Sequence, residues 1–115
     1  MVFRSYPLIR EARRIVDSAG RDFDKEWKRL ETEHSTDYFT LVALANFFED
    51  MAILEKEGQI TFQQVIDRFG ATISHYHGIL NNFIAEKQKD DPAVLENFDR
   101  LAKRLADETR VKATS

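Results

Sequence analysis

The segment Leu41–Leu54, LVALANFFEDMAIL, constrains the fold more than any other, because eleven of its fourteen residues are apolar. It falls short of the roughly 18 apolar residues of a membrane span, and Asn46, Glu49 and Asp50 interrupt it. A helix that is apolar nearly all round is stable in water only when neighbours cover several of its sides. The segment therefore predicts a buried central helix, about residues 37–57, surrounded by amphipathic helices.

The rest of the chain supplies them. Ser5 and Pro7 open a first helix with Leu8, Ile9, Ala12, Ile15, Val16 and Ala19 on one face and Gly20 as its stop. Asp22 is placed to cap a second helix carrying Phe23, Trp27 and Leu30. Whether it is separate or continues the first stays open, since one glycine inside a helix costs only about 1 kcal/mol. Ser35 or Thr36 caps the central helix, and Gly58 ends it. Thr61 and Gln64 form a capping box ahead of Phe62, Val65, Ile66 and Phe69, and Gly70 is expected to break or kink that helix. Ile73, Tyr76, Leu80, Phe83 and Ile84 form the next stripe. Asp91-Pro92 restarts the chain as a helix buried through Val94, Leu95, Phe98, Leu101, Ala102 and Leu105, with a tail from Thr109 expected to fray. No segment has the alternation of a strand. The expectation is an all-α fold: a compact bundle of five or six helices, one domain over residues 1–115.

The chain has no cysteine, which excludes disulfides and thiolate metal sites and suits the cytoplasm. The first residues do not read as a signal peptide, and no membrane span is expected. The net charge of −3 is uneven. Residues 1–30 hold eight Lys/Arg against five Asp/Glu, a balance of +3, and residues 31–115 hold nine against fifteen, a balance of −6. Docking of the basic part on the acidic remainder, or a weakly basic face for a partner, would each follow from that split.

Few residues suggest chemistry. Ile53–Gln64, with Gly58 sixth and Ile60 eighth, imitates a calcium loop, but Ile53 and Gln64 stand where carboxylates are required. His75 and His77 lie two apart, about 200° around a helix, so they cannot share an ion, and His34 is remote in sequence. Neither a metal nor a cofactor is expected. Asn46 and Glu49, three apart on the most buried helix, require hydrogen-bonding partners, and we read them as a structural polar network tied to Tyr, Arg or His of neighbouring helices. A single carboxylate without a nucleophile or a glycine-rich loop is not an active site, so no enzyme is predicted. Thr61–Asn82 echoes a helix-turn-helix. Ile66 and Tyr76 occupy its packing positions, however, and no Arg or Lys lies between Gly70 and Lys87 to meet phosphates, which argues against nucleic-acid binding.

The segment from Phe47 to Leu105 resembles a family of bacterial all-helical domains of unknown function. The residues that carry the resemblance are Asn46-Phe47-Phe48-Glu49, Gly58 with Ile60, Phe69-Gly70, Ile73, Tyr76, Phe83-Ile84, Pro92, Glu96-Asn97-Phe98 and Leu101. Arg10–Val16 is similar to the family's Arg-rich opening helix. The resemblance implies the helical fold, implies no activity, and makes Gly70 and Tyr76 bundle positions.

The predicted function is a non-enzymatic protein-interaction or scaffold domain, with a degenerate helix-turn-helix over 61–82 and a small-molecule-binding bundle as alternatives. Thirteen aromatic residues are many for a domain of this size, so some are expected at the surface as a homodimer interface. The candidate faces are Tyr76, Leu80 and Phe83, or Ile15, Phe23 and Trp27.

Overall fold

Five α-helices form among residues 5–114, which a computed structural model describes, with side chains over residues 7–108. They are α1 (Ser5–Ala19), α2 (Phe23–Thr32), α3 (Thr36–Lys56), α4 (Phe62–Asp90) and α5 (Glu96–Thr114), with a 3₁₀ turn, Gly20–Asp22, between α1 and α2. The fold is all-α, a helical bundle. No described helix is long and apolar enough to cross a membrane. The helices divide into two compact units, with the boundary between Phe47 and Phe48 inside α3.

In the first unit, Gly20 takes a left-handed φ of 61°, so α1 and α2 are separate helices. The hydrogen bond expected from an Asp22 cap is not made, because the 3₁₀ turn itself leads the chain into α2. The cap assigned to Ser5 lies outside the described side chains. At the end of α2 the His34 N–H donates to Glu31 O at 3.1 Å and the Ser35 N–H to Leu30 O at 3.0 Å, with His34 at φ 52°. This is a Schellman closure with histidine in the place glycine usually takes. The Ser35 hydroxyl then accepts from the Asp37 N–H at 3.2 Å, so the same short link closes one helix and caps the next. Arg14 donates to Asp37 at 2.9 Å and the Tyr38 hydroxyl to Glu31 at 2.8 Å, tying the first turn of α3 to α1 and α2.

The second unit begins with the rest of α3, which closes by another Schellman motif. The Gly58 N–H donates to Glu55 O at 3.0 Å and the Gln59 N–H to Leu54 O at 2.9 Å, with Gly58 at φ 80°. The Thr61–Gln64 capping box forms as expected, its bonds 3.0 and 2.8 Å long. From there α4 runs unbroken through Gly70. The expected break is absent, because the local cost of glycine is small beside the burial of Val65, Phe69, Ile73, Tyr76 and Leu80 on both sides of it. A Cβ at Gly70 would meet only the Ile66 side chain, at an ordinary 3.7 Å. Gly70→Ala is expected to stabilise the protein by about 0.5–1 kcal/mol, seen as a higher thermal midpoint. A lower midpoint would show that α4 requires the glycine.

Asp91 stops α4 because a residue before proline is driven to extended backbone, here φ −144° and ψ 102°. Its carboxylate accepts from the Ala93 N–H at 3.1 Å, and Gln88 donates to Val94 O at 3.0 Å. Pro92 does not start the last helix as expected. The chain turns through Leu95, at φ 56°, and α5 begins at Glu96. It then continues to Thr114, past the point at which the sequence suggests fraying. α4 and α5 pack against each other through the stripes that periodicity predicts, with Leu95, Phe98, Leu101, Ala102 and Leu105 all buried.

Candidate functional site

Glu49, His77, Asn97 and Asp99 of the second unit meet at the first turn of α5. The Leu95 carbonyl accepts the first helical bond, from the Asp99 N–H at 3.0 Å, so Leu95 is the N-cap residue and has no side-chain oxygen to offer the free N–H groups. Glu49 of α3 provides the missing acceptor. Its Oε1 accepts from the Phe98 N–H at 2.7 Å and its Oε2 from Asn97 Nδ2 at 2.8 Å. A carboxylate at this place also complements the positive end of the helix dipole. Glu49 therefore caps a helix 48 residues away in sequence.

Asp99, one turn further on, joins α5 to α4. Its Oδ1 lies 2.8 Å from His77 Nε2 and its Oδ2 accepts from Lys103 Nζ at 2.8 Å. The His77 ring stands edge-on to Phe98, with centroids 5.4 Å apart. Burial pushes the Asp99 carboxyl up, and the hydrogen bonds from Lys103 and His77, with their charges, outweigh it and hold the group below its ordinary 3.8. A folded value below the unfolded one stabilises the protein above the unfolded value, and the contribution is lost as pH falls through the folded one. Acid unfolding followed by circular dichroism should show this: Asp99→Asn is expected to be less stable than the parent at neutral pH and to lose less between about pH 4 and pH 2. Parallel curves would remove Asp99 from the acid response.

A third tie lies toward the other end of α5. Arg104 Nη1 donates to Glu55 Oε1 at 2.7 Å while its guanidinium sits 3.8 Å from the centre of the Phe62 ring. The Glu55 side chain is only 9% exposed, and Arg104 provides it with an ion pair. One arginine thus joins α3, α4 and α5.

Of the residues singled out from sequence, Glu49 is half-buried and bonded to Asn97 and a backbone N–H, rather than to the Tyr, Arg or His anticipated. Asn46 is exposed and outside this network. The three-residue step offsets the two by about 60° around α3, so Glu49 lies at the edge of the packed face and Asn46 just beyond it in solvent. The six candidate interface residues are all buried: Ile15, Phe23, Trp27, Tyr76, Leu80 and Phe83 are each at most 7% exposed. Each set is enclosed within its own unit, so neither supplies the leftover apolar stripe that the aromatic count predicts. Among the described residues the exposed large hydrophobic side chain is instead Phe39, at 56%. The helix-turn-helix alternative loses its turn, because α4 passes through 70–72 as continuous helix. His34 and His75 are exposed and His77 is half-buried, and no three His, Asp or Glu among the described residues are grouped to hold a metal ion.

Sequence reading missed Asn97, Asp99, Arg104 and Glu55 as ties. The available signals were the four-residue step from Asp99 to Lys103, which marks a paired helix face, and the absence of a capping side chain at Leu95. Neither points to the partners on α3 and α4.

These features define an all-helical domain whose half-buried charged groups join one helix to the next. The chain belongs to the family described as Domain of unknown function (DUF4760), whose family model matches residues 3–105. Comparison with curated proteins and with solved structures finds no match.

Proposed function

We propose that this chain is a non-enzymatic protein-interaction domain that presents the N-terminal half of α3 to a protein partner. The observation that carries this reading is Phe39. It is 56% exposed on the most apolar helix of the chain, where every other large hydrophobic among the described residues is at least half covered. Tyr38 stacks edge-on against it at 5.5 Å, and one turn on, Val42 is half-buried and Ala43 exposed, with Asn46 following at the next turn. Aromatic side chains are among the residues that interface cores favour. The half-buried carboxylates Glu49, Glu55 and Asp99 are committed to helix-to-helix ties, which suits a scaffold. Phe39→Ser should leave the unfolding free energy within about 0.5 kcal/mol of the parent, because the ring is exposed. The test is capture from the native host with a photo-crosslinking residue at position 39. A discrete protein adduct that Asn46→Arg abolishes is the expected result, and an adduct pattern indifferent to that change would overturn the proposal.

A further inference from the structure

The outer face of α4 differs from the rest of the surface of a chain in which 32% of residues are charged. Between Arg68 and Glu86 its exposed positions carry no Asp, Glu, Lys or Arg. Ala71, Ser74, Gly78, Asn81 and Ala85 run along the middle of this face, with His75 at its border, and all six are exposed. Ala71, Gly78 and Ala85 recur at intervals of seven, so they stay aligned along one side of the helix. Tyr76, Leu80 and Phe83, on the opposite side, are buried within the chain.

The charges that bound this face have a two-fold relationship. At its N-terminal end stand Asp67, which accepts from Gln63 at 2.7 Å, and Arg68, and at its C-terminal end Glu86 and Lys89, paired with each other at 3.1 Å; all four are exposed, so these local contacts can be exchanged for contacts with a second copy. A second α4 laid antiparallel about an axis through Gly78 brings residue positions that sum to about 156 opposite each other. Ala71 then meets Ala85 of the other copy, Ser74 meets Asn81, and Gly78 meets Gly78. At the ends Arg68 lies on the same flank as Glu86 of the other copy, and Asp67 lies opposite Lys89. Each ionic pair occurs twice and each is of opposite sign. A parallel pairing would instead set every one of these charges against its own kind. Small side chains let the two backbones approach closely, and Ser74 and Asn81 can hydrogen-bond across the contact.

We propose that two copies of this chain associate through the outer faces of α4, antiparallel and two-fold symmetric about Gly78, with Arg68–Glu86 and Asp67–Lys89 pairs between copies at both ends. This inference is independent of the Phe39 surface. It places the contact on the side of α4 opposite to Tyr76, Leu80 and Phe83. The pairing is self-complementary, so it closes as a dimer and does not extend into a filament.

Light scattering behind a sizing column, over a dilution series of the full chain, provides the first test. The expected mass is twice 13.4 kDa at the upper concentrations, and a mass of 13.4 kDa throughout would overturn the proposal. Gly78→Glu introduces a better helix former at a position where a Cβ meets nothing within 4 Å, so the fold should be kept while the dimer is lost. Arg68→Glu should raise the dissociation constant about tenfold or more, and Arg68→Glu with Glu86→Arg should restore it. A dimer indifferent to Gly78→Glu, or a double variant as weak as the single one, would overturn the α4 contact. Because the chain has no cysteine, Gly78→Cys gives one thiol per copy on the proposed axis. Rapid oxidation to a disulfide dimer at micromolar protein is expected, and its absence while the parent is dimeric would exclude this register.

Discussion

Phe98→Ala should cost about 3–5 kcal/mol, the range for removing a fully buried aromatic side chain. Phe98 has no exposed surface, its ring centre lies 5.1 Å from that of Phe48, and the His77 ring stands edge-on against it. It is the residue at which α3, α4 and α5 of the second unit meet. Truncation removes the ring from both neighbours and opens a void that the capped first turn of α5 cannot move to fill. Against a usual total of about 5–15 kcal/mol, the loss is about a fifth of the stability at the least. Urea unfolding followed by circular dichroism would measure it, and Phe98→Leu, which keeps most of the volume, should lose distinctly less. A shift of under about 1 kcal/mol for the alanine variant would mean that the ring is not enclosed as described.

Glu49→Ala is the second large effect, and its cause is polar. Both carboxylate oxygens accept bonds at 2.7–2.8 Å from the start of α5, so alanine leaves the Phe98 N–H and Asn97 Nδ2 without their acceptor. The cost should be about 1–3 kcal/mol, and the Phe98 amide should exchange its hydrogen faster. Glu49→Gln keeps an oxygen for the Phe98 N–H and removes only the charge and one acceptor, so it should recover part of the loss. A double-mutant cycle with Asn97→Ala separates the two bonds, since the carboxylate-to-backbone cap survives that substitution. An unchanged melt for Glu49→Ala would release Glu49 from a structural role and make it a candidate for binding.

The two effects share a location and differ in how legible they were. That Phe98 lies inside follows from the spacing of Leu95, Phe98, Leu101, Ala102 and Leu105, which any helix must place along one stripe. That Glu49 needs a partner follows from a carboxylate on an apolar helix. That the partner is the N-terminus of α5 does not follow, because nothing local links residues 48 apart.

What the sequence determined by itself is whatever closes within about one helical turn. The all-α class, the α3 span, the Ser35 and Thr61 caps, the Gly58 stop and the buried stripe of α4 are set by hydrogen bonds and side-chain spacings between residues no more than five apart. Tertiary structure decided the rest. Gly70 is a helix interior because the flanking burial outweighs its local cost, and α5 starts after Leu95 because Glu49 reaches across to cap it. Tyr76, Leu80 and Phe83 face inward, leaving the uncharged face of α4 outside, because packing against α3 and α5 selects one side of a helix that is apolar on one side and merely uncharged on the other. Periodicity shows that a helix has two faces, and only the partners it meets determine how each is used.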